Sequence, residues 1–246
     1  MRNTVDILGV PVDSVTMEQA KQKVIDYVHE NNGTRMVFTP NSEILMAAQR
    51  DPGLKDILKN ADLLVADGAG VVLAARILRL NIPEKVSGID LVKNLLQVSE
   101  KEGLSYFLFG SKPGVAEAAG EKMKETYGNI DIKGYRNGYF SKEDEPQIVE
   151  QVNSSGADII LVALGAPKQE KWIYEYREAL KAKVCIGIGG SLDVFAGNVK
   201  LAPDFFRNHG LEWLYRLCKE PRRYKRMLDL PRFIFRVIAV KLRLRK

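Results

Sequence analysis

The sequence predicts an α/β fold in which a mostly parallel, Rossmann-like sheet carries helices on both faces. Along residues 1–200, short apolar runs alternate with amphipathic segments of helical length. Several of these runs end in Gly or polar residues just before the next helix. From about Lys200 the pattern changes to basic and helical. The sequence therefore predicts a catalytic body over 1–200 and a basic amphipathic appendage over 201–246.

The predicted strands are runs of four to six residues, most of them apolar, bounded by turn residues. They are Ile7–Val10, Met36–Thr39, Leu63–Ala66, Ser105–Phe109, Ile130–Tyr135, Ile159–Ala163 and Val184–Ile188. Segments of helical spacing lie between them, and the helices predicted in the appendage are Phe205–Leu217 and Leu230–Lys246. The alternation of strand and helix favours a parallel sheet.

The charge of the chain is unevenly distributed. Asp204 to Lys246 contains 13 Lys or Arg and four Asp or Glu, a net charge of +9. Because the whole chain of 246 residues carries +6, the body is left at −3. A basic tail of this kind predicts an anionic partner, and nucleic acid, lipid head groups or a phosphorylated substrate all qualify.

Two cysteines in apolar surroundings indicate a reducing compartment without a disulfide framework. The N-terminus lacks the apolar core of a signal peptide, and no stretch approaches the roughly 18 apolar residues that a spanning helix needs. The sequence therefore predicts a cytosolic protein that does not span the membrane.

The strongest functional signal is Asp67, which follows the predicted strand Leu63–Ala66 and precedes a glycine turn. In open α/β sheets the crevice outside the carboxyl ends of the strands binds ligands. A carboxylate held there by a rigid strand is a candidate catalytic base. The alternative is that Asp67 caps the following helix, as Asp often does.

Other strand ends also carry polar residues. Thr39 and Asn41 follow the second predicted strand, where they either contact a ligand or cap the next helix. Lys168 and Gln169 begin the helix after Ile159–Ala163. Asp193 follows the last strand, where it either binds a ribose hydroxyl or caps a helix. We expect these side chains to share one edge of the sheet.

Three further positions are candidates with weaker signals. Lys85 is either a solvated lysine or a phosphate contact, and the turn at Gly110 feeds a helix N-terminus that suits a diphosphate. Tyr139 lies in a loop where it could stack on a base, whereas core packing is the better interpretation for Phe140.

The C-terminal segment is amphipathic. On a helical wheel Leu230, Phe233, Ile234, Val237 and Ile238 share one face, and arginines lie opposite. This layout fits a helix in a membrane interface or a helix docked on its own body. The positive bias favours lipid.

The chain lacks the usual means of binding a divalent metal. It has two histidines, far apart, and no Asp-x-Asp motif. A phosphate-bearing ligand would then be held by N–H groups and cationic side chains.

Taken together and in order, the motifs resemble those of the WecG/TagA/CpsF family of bacterial glycosyltransferases. They are Thr39-Pro40-Asn41, Ala66-Asp67-Gly68-x-Gly70, Lys85-x-x-Gly88-x-Asp90, Phe109-Gly110, Gly165-x-Pro167-x-Gln169-Glu170 and Gly189-x-x-x-Asp193. The resemblance covers nearly the whole chain. It implies a metal-independent, inverting transferase without a cofactor that moves an N-acetylmannosamine-type sugar from a UDP donor to a polyprenyl-diphosphate-linked GlcNAc.

The resemblance also implies roles for individual residues. Asp67 matches the catalytic base, and Thr39, Asn41 and Gln169 match polar groups around the donor sugar. The position of Lys85 is often Arg in the family, so a bidentate contact there is in question. The appendage resembles one whose arginines complete the active site at the membrane, and Arg216, Arg223 and Arg226 are the candidates.

The leading hypothesis is therefore a glycosyltransferase at the cytoplasmic face of an anionic membrane, acting in teichoic acid linkage-unit synthesis. ManNAc, its uronic acid and glucose remain open as the donor sugar. The alternative is a nucleotide- or nucleic-acid-binding module, against which the apolar face of the tail and the acidic body both argue. A homo-oligomer is compatible with the sequence.

Overall fold

The computed structural model describes residues 2–30, 32–219 and 224–243, with the side chains of all of these except residues 208, 216, 225 and 226. The strands of this part of the chain are β1 (Thr4–Asp6), β2 (Pro11–Asp13), β3 (Arg35–Phe38), β4 (Leu63–Leu64), β5 (Ser105–Gly110), β6 (Asp131–Arg136), β7 (Ile159–Ala163) and β8 (Val184–Gly187). Six of them form a parallel sheet in the order β4-β3-β8-β7-β5-β6. The predicted α/β class is confirmed.

The helices of the body are α1 (Met17–Glu30), α2 (Ser42–Ala48), α3 (Pro52–Lys59), α4 (Ala69–Leu78), α5 (Gly88–Glu102), α6 (Val115–Tyr127), α7 (Glu145–Ser155), α8 (Lys168–Tyr176) and α9 (Ser191–Phe195), with a 3₁₀ turn at Lys142–Asp144. Those of the C-terminal part are α10 (Asp204–Asn208), α11 (Glu212–Lys219), α12 (Tyr224–Met227) and α13 (Asp229–Arg243).

Side chains of the strands alternate between two cores, one on each face of the sheet. In β5, Phe107 and Phe109 enter one core, whereas Tyr106 and Leu108 enter the other. The first core also holds side chains of α2, α3, α4, α7, α8 and α13, and the second those of α1, α5, α6 and α9. Both faces of the inner strands β3, β5, β7 and β8 are covered, which explains why these strands read as largely apolar runs.

The first predicted strand, Ile7–Val10, is wrong. These residues form the turn between β1 and β2, closed by hydrogen bonds between the backbones of Ile7 and Val10 at 2.9 and 3.2 Å. Leu8 and Gly9 at its tip have φ of 58° and 80°. The apolar pattern misleads because this turn is itself covered, and Ile7 and Val10 are fully buried.

The sheet has a topological switch between β3 and β8. The helix that follows β3, α2, packs on one face, and the helix that follows β8, α9, packs on the opposite face. The chain leaves β3 toward one face of the sheet and leaves β8 toward the opposite face. A crevice therefore opens outside the carboxyl ends of these neighbouring strands. The topology therefore places a binding site there.

The helix predicted over Phe205–Leu217 is divided in two. Gly210 lies between α10 and α11 with φ of 70°, a conformation that favours glycine. A Cβ at Gly210 would lie 2.6 Å from the Cβ of Ala69, so the turn packs closely against the start of α4. The glycine lets the chain turn after α10, and the close contact with Ala69 leaves no room for a larger residue there.

The amphipathic helix α13 docks on the body. It packs against α2 and α4, and Phe233 and Val237 are fully buried in the core on that side of the sheet. The interpretation that this face rests on lipid is therefore wrong for these two residues. The wheel shows an apolar face but does not show what covers it, and here the uncovered flank of α2 and α4 does so.

Candidate active site

A cavity of about 910 Å³ opens at the switch between β3 and β8. Its walls come from the segments that follow β3, β4, β7 and β8, and from residues of the three helices α10, α11 and α13 of the C-terminal part. The body provides the rigid strand ends, and the C-terminal helices close the opposite side. Of the sequence-predicted residues, the cavity collects five: Thr39, Asn41, Asp67, Gln169 and Asp193.

Asp67 lies in the wall of the cavity, one residue before the glycine that precedes α4. In the described chain, α4 has no side-chain capping hydrogen bond, so the capping alternative for Asp67 is not what the structure shows. Instead its Oδ2 accepts from the N–H of Gly88, at the first residue of α5, at 3.3 Å. A helix N-terminus favours negative charge, so the start of α5 stabilises the Asp67 carboxylate at the cavity wall.

Thr39 and Asn41 both line the cavity and both have structural partners. Thr39 Oγ1 donates to the carbonyl of Gly187, the last residue of β8, at 3.3 Å. Asn41 caps α2 by accepting from the N–H of Ile44 at 3.0 Å. The cap uses the side-chain carbonyl oxygen of Asn41, and its amide nitrogen is a potential hydrogen-bond donor.

Gln169 lies in the first turn of α8 with its side chain at the cavity wall. Its Oε1 accepts from the N–H of Gly189 at 3.0 Å, which joins the loops after β7 and β8. Lys168, the residue before it, turns away and places its Nζ 3.8 Å above the ring of Phe140. Phe140 in turn packs on Phe109, so the core interpretation of Phe140 is confirmed.

Asp193 lines the cavity and accepts from Ser111 Oγ at 2.9 Å. In the described chain α9 has no side-chain capping hydrogen bond, so Asp193 is not its cap. Neither Gly110 nor Tyr139 lies in the cavity wall. Gly110 packs against the backbone of Ala163, where a Cβ would meet its atoms at 2.4 Å, and Tyr139 is 65% exposed. Gly110 precedes Ser111 in the chain, and Tyr139 follows Gly138, whose N–H donates to the carbonyl of Ser111 at 2.8 Å.

Lys85 is held in an ion pair and is not a freely solvated lysine, and a phosphate contact there stays a prediction. Its Nζ lies 2.8 Å from Oε1 of Glu212 in α11, so it ties the loop before α5 to the C-terminal helices. Arg207 of α10 reinforces this contact by binding both carboxylate oxygens of Asp90 at 2.8 Å. Burial alone would raise the pKa of Asp90, but hydrogen bonds from Ser87 and Arg207 outweigh it and hold the pKa below its usual value.

A second ion pair holds α13. Arg50, after α2, binds both oxygens of Asp229 at 2.9 and 2.7 Å, and both residues line the cavity. The hydrogen bond from Arg50 holds the pKa of Asp229 below its usual value. Asp229 is buried, so it stays charged at neutral pH through this bidentate partner.

The predicted tail arginines cannot be placed in the same way. Arg223 lies outside the described residues, and so do the side chains of Arg216 and Arg226. Position 216 belongs to α11, whose residues Glu212, Tyr215 and Lys219 line the cavity.

Sequence reasoning missed Arg50, Arg207, Glu212 and Asp229 as cavity residues. No local pattern of residues indicated Arg50. Arg207, Glu212 and Asp229 entered the prediction only through the net charge of the tail. Their partners lie 117 to 179 residues away in sequence. Only the folded chain reveals such pairs.

Among the described residues, no group of three or more His, Cys, Asp or Glu is arranged to hold a metal ion. Over the same residues, no helix is long and apolar enough to cross a bilayer.

Comparison with known proteins supports the family resemblance that the ordered motifs indicate. The family model described as the Glycosyl transferase WecG/TagA/CpsF family matches residues 5–246. A Bacillus subtilis (strain 168) protein named N-acetylglucosaminyldiphosphoundecaprenol N-acetyl-beta-D-mannosaminyltransferase is 38% identical over 212 residues, which is 86% of this chain and 82% of that protein. Proteins of the same name from Bacillus spizizenii and Staphylococcus aureus (strain MRSA252) are 35% and 33% identical, over 92% and 98% of this chain and 87% and 95% of their own.

Proposed function

The chain belongs to the WecG/TagA/CpsF family of glycosyltransferases, and we propose that it transfers N-acetylmannosamine from UDP-ManNAc to GlcNAc-diphosphoundecaprenol with inversion. This step makes the linkage unit of a teichoic acid. The names of the relatives, at 33 to 38% identity over most of the chain, support this choice of sugar and acceptor. The proposed reaction has no cofactor, and the UDP-sugar is consumed as a substrate.

The observation that carries the proposal is the position of Asp67 in the cavity. An inverting transfer needs one base that removes the proton of the acceptor hydroxyl while the hydroxyl oxygen attacks the anomeric carbon in line with the departing diphosphate. Asp67 lies on the rigid edge of the sheet beside the N–H of Gly88. Thr39, Asn41 and Gln169 surround the same space and offer polar contacts to the donor sugar.

The leaving UDP develops negative charge that the site must stabilise. Among the described residues, four cationic side chains line the cavity and are proposed for this purpose: Arg50, Lys200, Arg207 and Lys219. Arg216, Arg223 and Arg226 are proposed to add to them from the C-terminal part. On this basis, transfer proceeds without a divalent metal, and cationic side chains take the role that a metal has in many sugar-nucleotide enzymes.

We propose that the protein works at the inner face of the cell membrane, bound peripherally. The helix α13 has a second apolar face that the body does not cover. It consists of Leu228, just before α13, with Phe235, Ile238 and Leu242, which are 47%, 72%, 39% and 58% exposed. We call it the exposed stripe. Within α13 the residues of the stripe are three and four positions apart. The same helix also carries the exposed side chains of Arg232, Arg236 and Arg243.

An apolar stripe beside arginines is suited to an anionic membrane surface. The buried stripe of the same helix holds α13 to the body, so membrane contact would bring the cavity to the lipid-linked acceptor.

The experiment that tests the function uses a short-chain prenyl-diphosphate-GlcNAc acceptor and a panel of UDP-sugars, with UDP release and product mass as readouts. We expect UDP-ManNAc to give the disaccharide product with an inverted anomeric centre. A preference for UDP-ManNAc uronic acid or UDP-glucose would change the donor, and absence of any product with every donor would refute the transfer.

A further inference from the structure

Glu170 is a buried carboxyl that the steps above do not use. It follows Gln169 in the first turn of α8 and is 1% exposed. Its Oε1 accepts from Nε2 of Gln169 at 2.9 Å, whereas Oε2 is buried without a hydrogen-bond partner among the described residues. Burying a carboxyl with one oxygen unsatisfied costs free energy, so a polar residue at this position calls for a reason other than stability.

The amide of Gln169 is held from two sides. Its Oε1 accepts from the N–H of Gly189 at 3.0 Å, and its Nε2 donates to Glu170. A rotation of the amide by half a turn would set Nε2 against the Gly189 N–H and Oε1 against the Glu170 oxygen. At Gly189 a donor would then face a donor, and Oε1 of Glu170 would lose the N–H that it accepts. The two contacts together admit one orientation of the amide.

Close packing holds the same amide in place. A Cβ at Gly187 would lie 2.8 Å from Nε2 of Gln169, so the amide lies against the last residue of β8. Gln169 is 3% exposed, yet it borders the cavity. Nε2 has two hydrogens, and in the described part of the chain only the one shared with Glu170 is used. The second hydrogen is the group that a bound ligand can meet.

Resting on the proposed function, we propose that Glu170 is a positioning residue for sugar transfer, which fixes the Gln169 amide so that its remaining N–H is presented to an oxygen of the donor sugar. Glu170 does not itself touch the substrate. It acts through Gln169, and the Gly189 contact acts in the same direction from the opposite end of the amide.

The state of the carboxyl agrees with this role. Burial raises the pKa of Glu170, which favours the neutral acid over the carboxylate. A neutral acid still accepts through its carbonyl oxygen. Gln at this position has the same shape and the same acceptor, so Glu170→Gln is a conservative variant, and Glu170→Leu removes the acceptor at similar volume.

The first test is a double-mutant cycle, in which the KM for the UDP-sugar donor is measured with the full-length protein. We expect Glu170→Gln to keep the KM for the donor within about 3-fold, and Glu170→Leu to raise it about 10-fold, as expected for one lost ligand hydrogen bond. In a Gln169→Ala background, Glu170→Leu should cause no further rise. An equal rise in both backgrounds, or a wild-type KM in Glu170→Leu, would overturn the proposal. If the Leu variant does not fold, Glu170→Met serves in its place.

The second test needs no turnover. The side-chain NH₂ of Gln169 is observed by ¹⁵N–¹H NMR in the substrate-free protein, and its hydrogen exchange is compared among the variants. We expect slow exchange in wild type and Glu170→Gln and faster exchange in Glu170→Leu. Equal exchange in wild type and Glu170→Leu would refute the positioning role. Lack of sugar transfer by the wild type would refute the proposed function alone, since the NMR comparison still decides the role of Glu170.

Discussion

The carboxylate of Asp67 accepts from the backbone N–H of Gly88 at 3.3 Å, which joins the end of β4 to the first residue of α5. The contact links two segments of the family motif pattern that are 21 residues apart. It fixes one oxygen of the Asp67 carboxylate at the cavity wall.

We expect Asp67→Asn to fold and bind the UDP-sugar normally but to lower kcat by about 10²-fold or more, because an amide does not accept the proton of the acceptor hydroxyl. Single-turnover product formation and donor binding, measured separately, check this. Asp56→Asn on the exposed side of α3 is the matched control and should leave both unchanged. Near-wild-type turnover of the Asp67 variant would remove this residue from the role of base.

Chelation should leave turnover intact. We expect activity in EDTA to equal that in magnesium or manganese, since the site is proposed to stabilise the diphosphate with Arg50, Lys200, Arg207 and Lys219. UDP release with and without chelator measures it. Loss in EDTA that either metal restores would show that a cation takes part.

The pair of Arg50 and Asp229 should stabilise the docked state of α13 in a pH-dependent way. The folded-state pKa of Asp229 lies below the value of about 3.9 in an unfolded chain, so its contribution is present above that value. It is lost as the pH falls through the lower, folded-state pKa. We expect Asp229→Asn to cost about 1 kcal/mol of unfolding free energy at pH 7, a modest figure because Arg50 is half exposed.

Chemical denaturation of wild type and Asp229→Asn at pH 7 and below pH 3 measures this difference. It should shrink at acid pH, because wild type is then protonated at the same position. A difference of the same size at both values would show that the ion pair is not its source.

The exposed stripe should decide membrane binding. Replacing Phe235 and Leu242 by Ser should lower flotation with anionic vesicles at least 10-fold, because each side chain offers about 1.5–3 kcal/mol of apolar burial. Turnover of a soluble acceptor and the melting temperature should change little, since both residues are exposed. Tyr174→Ser, an exposed aromatic outside the stripe, is the control. Unchanged flotation of the double variant would assign membrane binding to another surface.

Arg223→Glu should reduce turnover of a soluble acceptor by 10-fold or more through loss of diphosphate stabilisation, while flotation persists. This variant tests the catalytic role of the tail more cleanly than truncation near Lys200. Truncation also removes Phe233 and Val237, which are fully buried in the core, and so lowers the stability of the body. Full turnover of Arg223→Glu towards the soluble acceptor would leave the tail as an anchor only.

The sequence by itself determines the strands of the parallel sheet and most of the sheet edge that carries the candidate active site. Apolar runs such as Ile159–Ala163 are buried on both faces, so local pattern and tertiary environment agree there. Thr39, Asp67, Gln169 and Asp193 follow such runs, and parallel strands bring their carboxyl ends to one edge whatever the order of the strands. The ordered motifs of the sequence also identify the family.

Tertiary structure alone decides which face of α13 is buried and what Lys85 binds. A helical wheel records which residues share a face, but Phe233 is buried because α2 and α4 leave a matching apolar flank, and Phe235 is exposed because nothing described covers it. Lys85 meets Glu212 across 127 residues of chain. Pairings at that distance depend on how whole elements pack, and no local pattern of residues encodes them.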